Sequence, residues 1–231
     1  MKKIALIIVI IIFSLTAKAQ HFGVSVDVGM SRINKIYNTY GTFENKSKIY
    51  YGLGVFYAKI PLESKWGFRA TLDYNKRGAG ALGEWYDWYG INPEYIVSET
   101  TESTKSLNLT FTPTLNASNR LQFFLGPTIG YTLGTNTKTI TTYYKTEAKS
   151  EVLSSRTGTS EFNGSSFINR LHFGVKAGVN MKLSNRIDLG LTYQYARLLK
   201  YGNPNYQPFY NIVNFTTNIY FKKRENNVSE N

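Results

Sequence analysis

The chemistry open to this chain is bounded by two histidines, His21 and His172, and by the absence of cysteine from its 231 residues. A Ser–His–acid relay would have to use one of the two imidazoles. No acid in register with His172 is legible from the sequence, and a histidine that fills space and hydrogen-bonds accounts for it more simply. A metal centre lacks both thiolates and a histidine pair. Disulfides and lipid attachment through cysteine are excluded outright. The glycine-rich run GAGALG at 78–83 does not lead into a helix as a phosphate-cradling loop does, and reads as a flexible hinge. No catalytic residue, metal ligand or cofactor is assigned, and the expectation is a non-enzymatic protein.

The elements that would position these residues show in the stretch LHFGVKAGVNMKL, 171–183. Alternate residues are Leu171, Phe173, Val175, Ala177, Val179, Met181 and Leu183; those between are polar or glycine. Side chains of a strand alternate between faces, so one face is apolar and the other polar. The same period recurs at 22–31, 51–58, 66–75, 107–115, 121–131, 187–195 and 213–221. Eight segments of about ten residues match tilted strands that cross a bilayer. Short connections at 61–65, 116–119 and 184–186 alternate with long ones at 32–47, 76–104, 132–168 and 197–210. The fold class expected is therefore all-β: an eight-stranded antiparallel up-and-down transmembrane β-barrel with short periplasmic turns and long extracellular loops. Pro113 and Pro127 remove ladder donors on paired strands, so a bulge or frayed pairing is expected there.

Glycine decides which face looks inward. Ten of the 19 glycines fall on the polar face and none on the apolar face. On a solvated strand glycine only weakens the structure, whereas inside a narrow barrel it makes room for longer neighbours. The polar face is thus the lumen and the apolar face meets lipid. Asp27, Arg69, Asp73, Lys176 and Asp188 then share the lumen as a candidate ion-pair network, with Arg69 and Lys176 bridged by the aspartates because buried charges must pair.

Lys2 and Lys3, the apolar run 4–13 and Ala17-Lys18-Ala19 make residues 1–19 a secretory signal peptide cleaved before Gln20. Its removal takes three lysines from a net charge of +12. Residues 20–222 form the barrel and 223–231 a short tail. The composition, 42% hydrophobic, is not that of a disordered chain.

The long connections hold the remaining candidates. EWYDWYG at 84–90 offers Trp85, Tyr86, Trp88 and Tyr89 as a recognition loop, or else as part of an aromatic girdle at the membrane boundary. The Thr- and Ser-rich segment 135–166 reads either as a ribbon that continues strands five and six beyond the membrane, open to β-augmentation, or as disorder. Basic residues gather where strands meet long connections. Arg77, Arg170 and Arg197 are the candidates for phosphate contact with lipopolysaccharide in the outer leaflet, against plain snorkelling. Nucleic acid is not expected, because the charge rings a barrel rim and forms no single stripe.

FGVSVDVGMS, GLGVFYAKIPL, FFLGPTIGYTLG and the Gly-x-x-x-Gly of HFGVKAGVNMKL together resemble the eight-stranded OmpA/OmpX-type barrels, and more narrowly the PorT-like outer membrane protein β-barrel domain family. The resemblance spans about residues 20–223. It implies an outer-membrane location; an even number of strands with short periplasmic turns puts both termini in the periplasm, and outer-membrane lipid is the expected partner. Some relatives serve protein secretion, which makes an envelope protein partner and an accessory role in a secretion or transport assembly the alternative function. The first is a structural or binding role through the extracellular loops. A lipid-modifying enzyme built on His172 ranks last.

Overall fold

Antiparallel pairing carries the chain around until the sheet meets itself. The computed structural model describes residues 20–34, 42–59, 65–87, 94–149, 151–162, 170–198 and 209–222. They form nine strands: β1 (Gln20–Asn34), β2 (Thr42–Lys59), β3 (Trp66–Asp87), β4 (Glu94–Asn116), β5 (Leu121–Tyr144), β6 (Val152–Phe162), β7 (Leu171–Lys182), β8 (Ile187–Leu198) and β9 (Phe209–Tyr220). The order is β4-β3-β2-β1-β9-β8-β7-β5-β6, and an additional β4–β5 pairing closes the ring. Eight strands make the barrel, as the alternation predicts, and β6 stands outside it. The expected signal peptide 1–19, the tail 223–231, Trp88 and Tyr89 lie outside the described residues.

Register gives the slope of the wall. Arg77 pairs with Tyr50, Tyr50 with Gly29, Gly29 with Asn214, Asn214 with Thr192, Thr192 with Gly178, Gly178 with Phe124, Phe124 with Thr114 and Thr114 with Gly67. One circuit therefore returns to β3 ten residues below its start. Such a stagger over eight strands corresponds to a tilt of about 40°.

The packing is inside out relative to a water-soluble domain. Leu53, Leu72, Leu125, Leu191, Val213 and Phe215 are exposed, while Asn75, Asn108, Thr128, Asn180, Thr192, Asn214 and Asn218 are buried. The exposed apolar side chains occupy the span from Trp66 to Tyr74 on β3 and from Phe123 to Leu133 on β5. That is the height of a tilted bilayer-crossing strand. A water-soluble sandwich or lipocalin-like barrel would bury the opposite set.

Pro113 and Pro127 interrupt the ladder without shifting it. Pairing stops after Thr110↔Thr128 and resumes at Thr114↔Phe124 in the same register, so the outcome is frayed pairing and no bulge. Irregularities occur elsewhere, at Ser47/Tyr50, Lys105/Ser106 and Tyr143/Tyr144.

Two expectations about the long connections need correction. Segments 76–104 and 132–168 are not simply loops: β3, β4 and β5 run to 22, 23 and 24 residues, about twice a transmembrane span. GAGALG is no hinge but the middle of β3, paired with β2 and β4. A Cβ on Gly78 would sit 2.6 Å from the Cβ of Lys48, so the glycine lets the two strands keep a side chain between them. With the upper part of β2 and with β6, these strands build a five-stranded sheet that rises from one side of the barrel at the long-loop end. From Tyr74 to Asp87 the rise is roughly 30 Å for tilted strands.

Candidate functional site

Polar networks fill much of the lumen, between apolar clusters at Ile33, Tyr50, Ala79, Tyr210 and Ile212 and at Phe56, Ala58 and Tyr220. Lys176 Nζ lies 3.6 Å from Asp27 Oδ2, and the Thr216 hydroxyl donates to Asp27 Oδ1 at 2.5 Å. Arg69 reaches an aspartate through a tyrosine: Nη2 donates to the Tyr220 hydroxyl at 2.6 Å, and that hydroxyl donates to Asp188 Oδ2 at 2.8 Å. Arg69 Nη1 donates to Asn218 Oδ1 at 3.1 Å, and its guanidinium carbon stands 4.4 Å from the centre of the Phe56 ring. Asp73 accepts from the amides of Asn75 at 2.9 Å and Asn108 at 3.1 Å. The five charged residues singled out in the sequence thus share one lumen. Tyr220, Phe56 and Asn108, which organise three of them, carried no signal beyond lying on the inward period.

Among the described residues, side chains pack across the lumen. Phe56 and Tyr220 pack edge to face with centroids 5.0 Å apart. A cavity of ≈ 20 Å³ between Arg69, Lys176, Asn180 and Phe124 has room for about one or two water molecules. Glycine makes this filling possible: a Cβ on Gly178 would lie 2.6 Å from the Phe124 ring, and one on Gly130 would strike the His172 imidazole.

His172 is fully buried in that interior. Its Nε2 is 2.8 Å from Asn108 Oδ1. Asn108 uses its amide nitrogen on Asp73, so its oxygen accepts and Nε2 carries the hydrogen. The chain Asp73–Asn108–His172 has no hydroxyl hydrogen-bonded to the imidazole among the described residues. Nor do any three His, Asp or Glu side chains among them converge as a metal site.

The expected ring of phosphate-binding arginines loses one member. Arg77 follows Asn75 on the inward period and is 1% exposed, with its guanidinium carbon 3.9 Å from the centre of the Tyr210 ring. It cannot reach lipid. Arg170 does sit at the rim, 3.4 Å from the Tyr131 hydroxyl and 5.8 Å from that ring's centre. Arg197 is exposed on the outward period between Phe173 and Phe209. Lys76 joins this set, its ammonium 5.8 Å from the centre of the Tyr51 ring.

Trp85 and Tyr86 are not in a loop and do not form a girdle. They end β3, opposite Ile96 and Tyr95, at the tip of the extension and far above the apolar belt. The turn after β5 folds against this tip. Lys149 adopts a left-handed backbone, φ 56°, uncommon for a side-chain-bearing residue, and its ammonium donates to Glu84 at 2.8 Å. Tyr95 also donates to Glu84, and Tyr86 donates to Glu147 at 3.1 Å. Hydrogen bonds from Lys149 and Tyr95 hold the Glu84 carboxyl below its ordinary range, and the same carboxylate pushes Tyr95 up to about 12.

Threonine pairs line the barrel-facing side of the extension: Thr100 with Thr139 at 3.2 Å, and Thr104 with Thr135 at 3.0 Å. Among the described residues β6 ends the sheet, pairing with β5 and no other strand. Residues 152–160 are exposed throughout. They contain no proline and a single charge, Arg156, so the usual guards of an edge strand are few.

A closed ring of tilted strands, apolar outside and ion-paired inside, is the architecture of an outer-membrane barrel. The model of the outer membrane protein beta-barrel domain family matches residues 18–196. The chain belongs to that family. No curated protein matches it. Among solved structures, similarity extends to Ail, the attachment invasion locus protein of Yersinia pestis (13% identity, 87% of this chain and 99% of that one, TM-score 0.37). It also extends to Neisserial surface protein A (12%, 86% and 96%, TM-score 0.44) and to the outer membrane enzyme PagL (14%, 84% and 97%, TM-score 0.31). At such identities none of them bears on what this family member binds.

Proposed function

We propose that this outer-membrane barrel is a non-enzymatic surface protein that binds an extended segment of an external or envelope protein along β6. The short-turn end and both termini face the periplasm after removal of the leader, and the tall sheet stands outside the cell. The observation that carries this reading is the open β6 edge on a sheet stiffened by its own threonine pairs and by the Lys149–Glu84 contact. Main-chain groups along such an edge supply affinity to an added strand. Outer-leaflet lipid is the second partner, its phosphates met by Arg170 and Arg197 without Arg77; the rim position of Arg170 and the exposure of Arg197 support this.

The PorT-like alternative, an accessory subunit of a secretion or transport assembly, ranks second because the connections at the short-turn end offer little surface. Envelope and external-protein pull-downs with the native chain separate the two readings. The comparison forms are Thr157→Lys/Thr159→Lys, which charges the edge, and a form lacking 135–162. A stoichiometric partner lost from both variants supports edge binding. A partner retained without 135–162 contradicts it and favours the assembly. A change in lipid A composition on expression would contradict the non-enzymatic reading.

A further inference from the structure

Register assigns the side chains of β6 to the two faces of the outer sheet. Ser160, Gly158 and Arg156 stand opposite Thr137, Thr139 and Thr141 of β5. Thr139 meets Thr100 on the barrel-facing side, so Arg156, Gly158 and Ser160 share that side.

Three features of this strand are left unanswered. Arg156 is exposed, its guanidinium carbon 5.9 Å from the centre of the Tyr143 ring. Among the described residues no carboxylate lies within ion-pair distance of it. Gly158 leaves a gap. On Gly126 or Gly174 of the wall a Cβ would strike the backbone of the neighbouring strand, whereas on Gly158 it would meet nothing within 4 Å. Packing therefore explains the wall glycines and not this one, and an uncovered glycine weakens a strand. Last, Val152 is 58% and Leu153 46% exposed at the tip of the extension. Leu153 is the extra residue where pairing steps from Tyr144↔Val152 to Tyr143↔Ser154.

One added strand answers all three. The sheet is antiparallel throughout, so the added strand continues it in that sense. Its residue opposite Gly158 is followed two positions later by the residue opposite Arg156, and further on by those beside Leu153 and Val152. An aromatic ring at the first position covers the bare backbone of Gly158. An acid at the second makes a cross-strand charge pair with Arg156. An apolar residue at the third takes Leu153 and Val152 out of water. We propose that β6 selects an extended segment with an aromatic residue, an acid two positions after it and an apolar residue about three positions beyond the acid. This rests on the edge-binding reading of β6 and narrows it to one partner chemistry. A second copy of this chain in the same membrane does not fit. The twofold axis of two identical antiparallel strands stands perpendicular to their sheet, and would turn the second barrel upside down.

The test uses the full mature chain in lipid nanodiscs and fluorescein-labelled peptides, followed by polarisation. The probes are TTYTETTIT, its Tyr→Ser and Glu→Lys forms, and the reversed sequence TITTETYTT. The first should bind saturably, the Tyr→Ser form about threefold and the Glu→Lys form about tenfold more weakly. Arg156→Glu should reverse the order of the Glu and Lys peptides. Gly158→Thr should weaken the tyrosine peptide about threefold and spare the serine one. Thr157→Lys/Thr159→Lys should abolish binding of all. Equal affinity for the four peptides, or a Glu/Lys order unmoved by Arg156→Glu, overturns the assigned chemistry; loss of that binding on the charged edge would still leave edge binding standing. Tighter binding of the reversed peptide overturns the antiparallel order. No saturable binding by any peptide also overturns the proposal, and the pull-downs then decide edge binding on their own.

Discussion

The Tyr220 hydroxyl carries a charge pair across the barrel: it accepts from Arg69 at 2.6 Å and donates to Asp188 at 2.8 Å. Phenylalanine at this position would keep the ring against Phe56 while removing a hydrogen bond from each ion. We expect Tyr220→Phe to lower unfolding stability by about 2–4 kcal/mol, measured by urea titration of the barrel in vesicles. An unchanged midpoint would mean that the two ions find other partners.

Lys176 and Asp27 make the direct pair, at 3.6 Å. Lys176→Met alone should cost about 3–5 kcal/mol, because it leaves Asp27 charged and buried. Lys176→Met with Asp27→Asn should recover much of that loss. A double-mutant cycle by the same titration checks it, and additive effects would show that the ions are uncoupled.

Much of this was legible in the sequence, for a physical reason. Where lipid lies on one side and a packed lumen on the other, selection for apolar and polar residues alternates strictly, and segments such as 171–183 show it. Above the membrane that contrast disappears. Residues 135–144 and 152–162 are mostly polar on both faces, so the period weakens although β3, β4 and β5 continue. Thr-rich composition and the alternation in TKTITTYYK were the remaining clues. Arg77 was misplaced because the apolar alternation stops at Asn75 and a basic residue beside Lys76 looks like rim charge; β3 continues to Asp87 and so keeps Arg77 on the inward series of Asp73 and Asn75. Tyr220 and Asn108 could be placed on the inward face but not on their partners, since pairing across the lumen depends on the stagger.

That stagger also makes the extension separable. β7 pairs with β5 only over 121–131, below the residues that pair with β6. Replacing 135–162 with a short Gly-Ser connection should leave the barrel's thermal unfolding temperature within a few degrees of the native chain, followed by heat-modifiable migration on gels. Failure to fold would show that the outer sheet nucleates the barrel.

Contact between the turn and the tip should depend on pH. Glu84 is held below its ordinary value of 4.5 by hydrogen bonds from Lys149 and Tyr95, so its contribution is present above that value and is lost as pH falls further. Tyr95 and Lys149 are raised, chiefly by hydrogen bonds to Glu84, above 10.0 and 10.5. Their contributions hold below those values and fade as pH rises past them. Tip order, read by amide exchange at 145–149, should therefore be flat between about pH 5 and 10 and fall on either side. Glu84→Gln should raise trypsin cleavage after Lys145 and Lys149 about threefold at neutral pH. A tip equally ordered at pH 3 would contradict the role given to Glu84.

Which face of the wall meets lipid decides the fold, and lipids carrying a mid-chain paramagnetic label test that directly. In nanodiscs, methyl signals of Leu53, Leu125 and Leu191 should broaden strongly, while those of Thr110, Thr128 and Thr192 stay sharp. Broadening of the threonines with the leucines spared would turn the barrel inside out and contradict the fold and the lumen networks together.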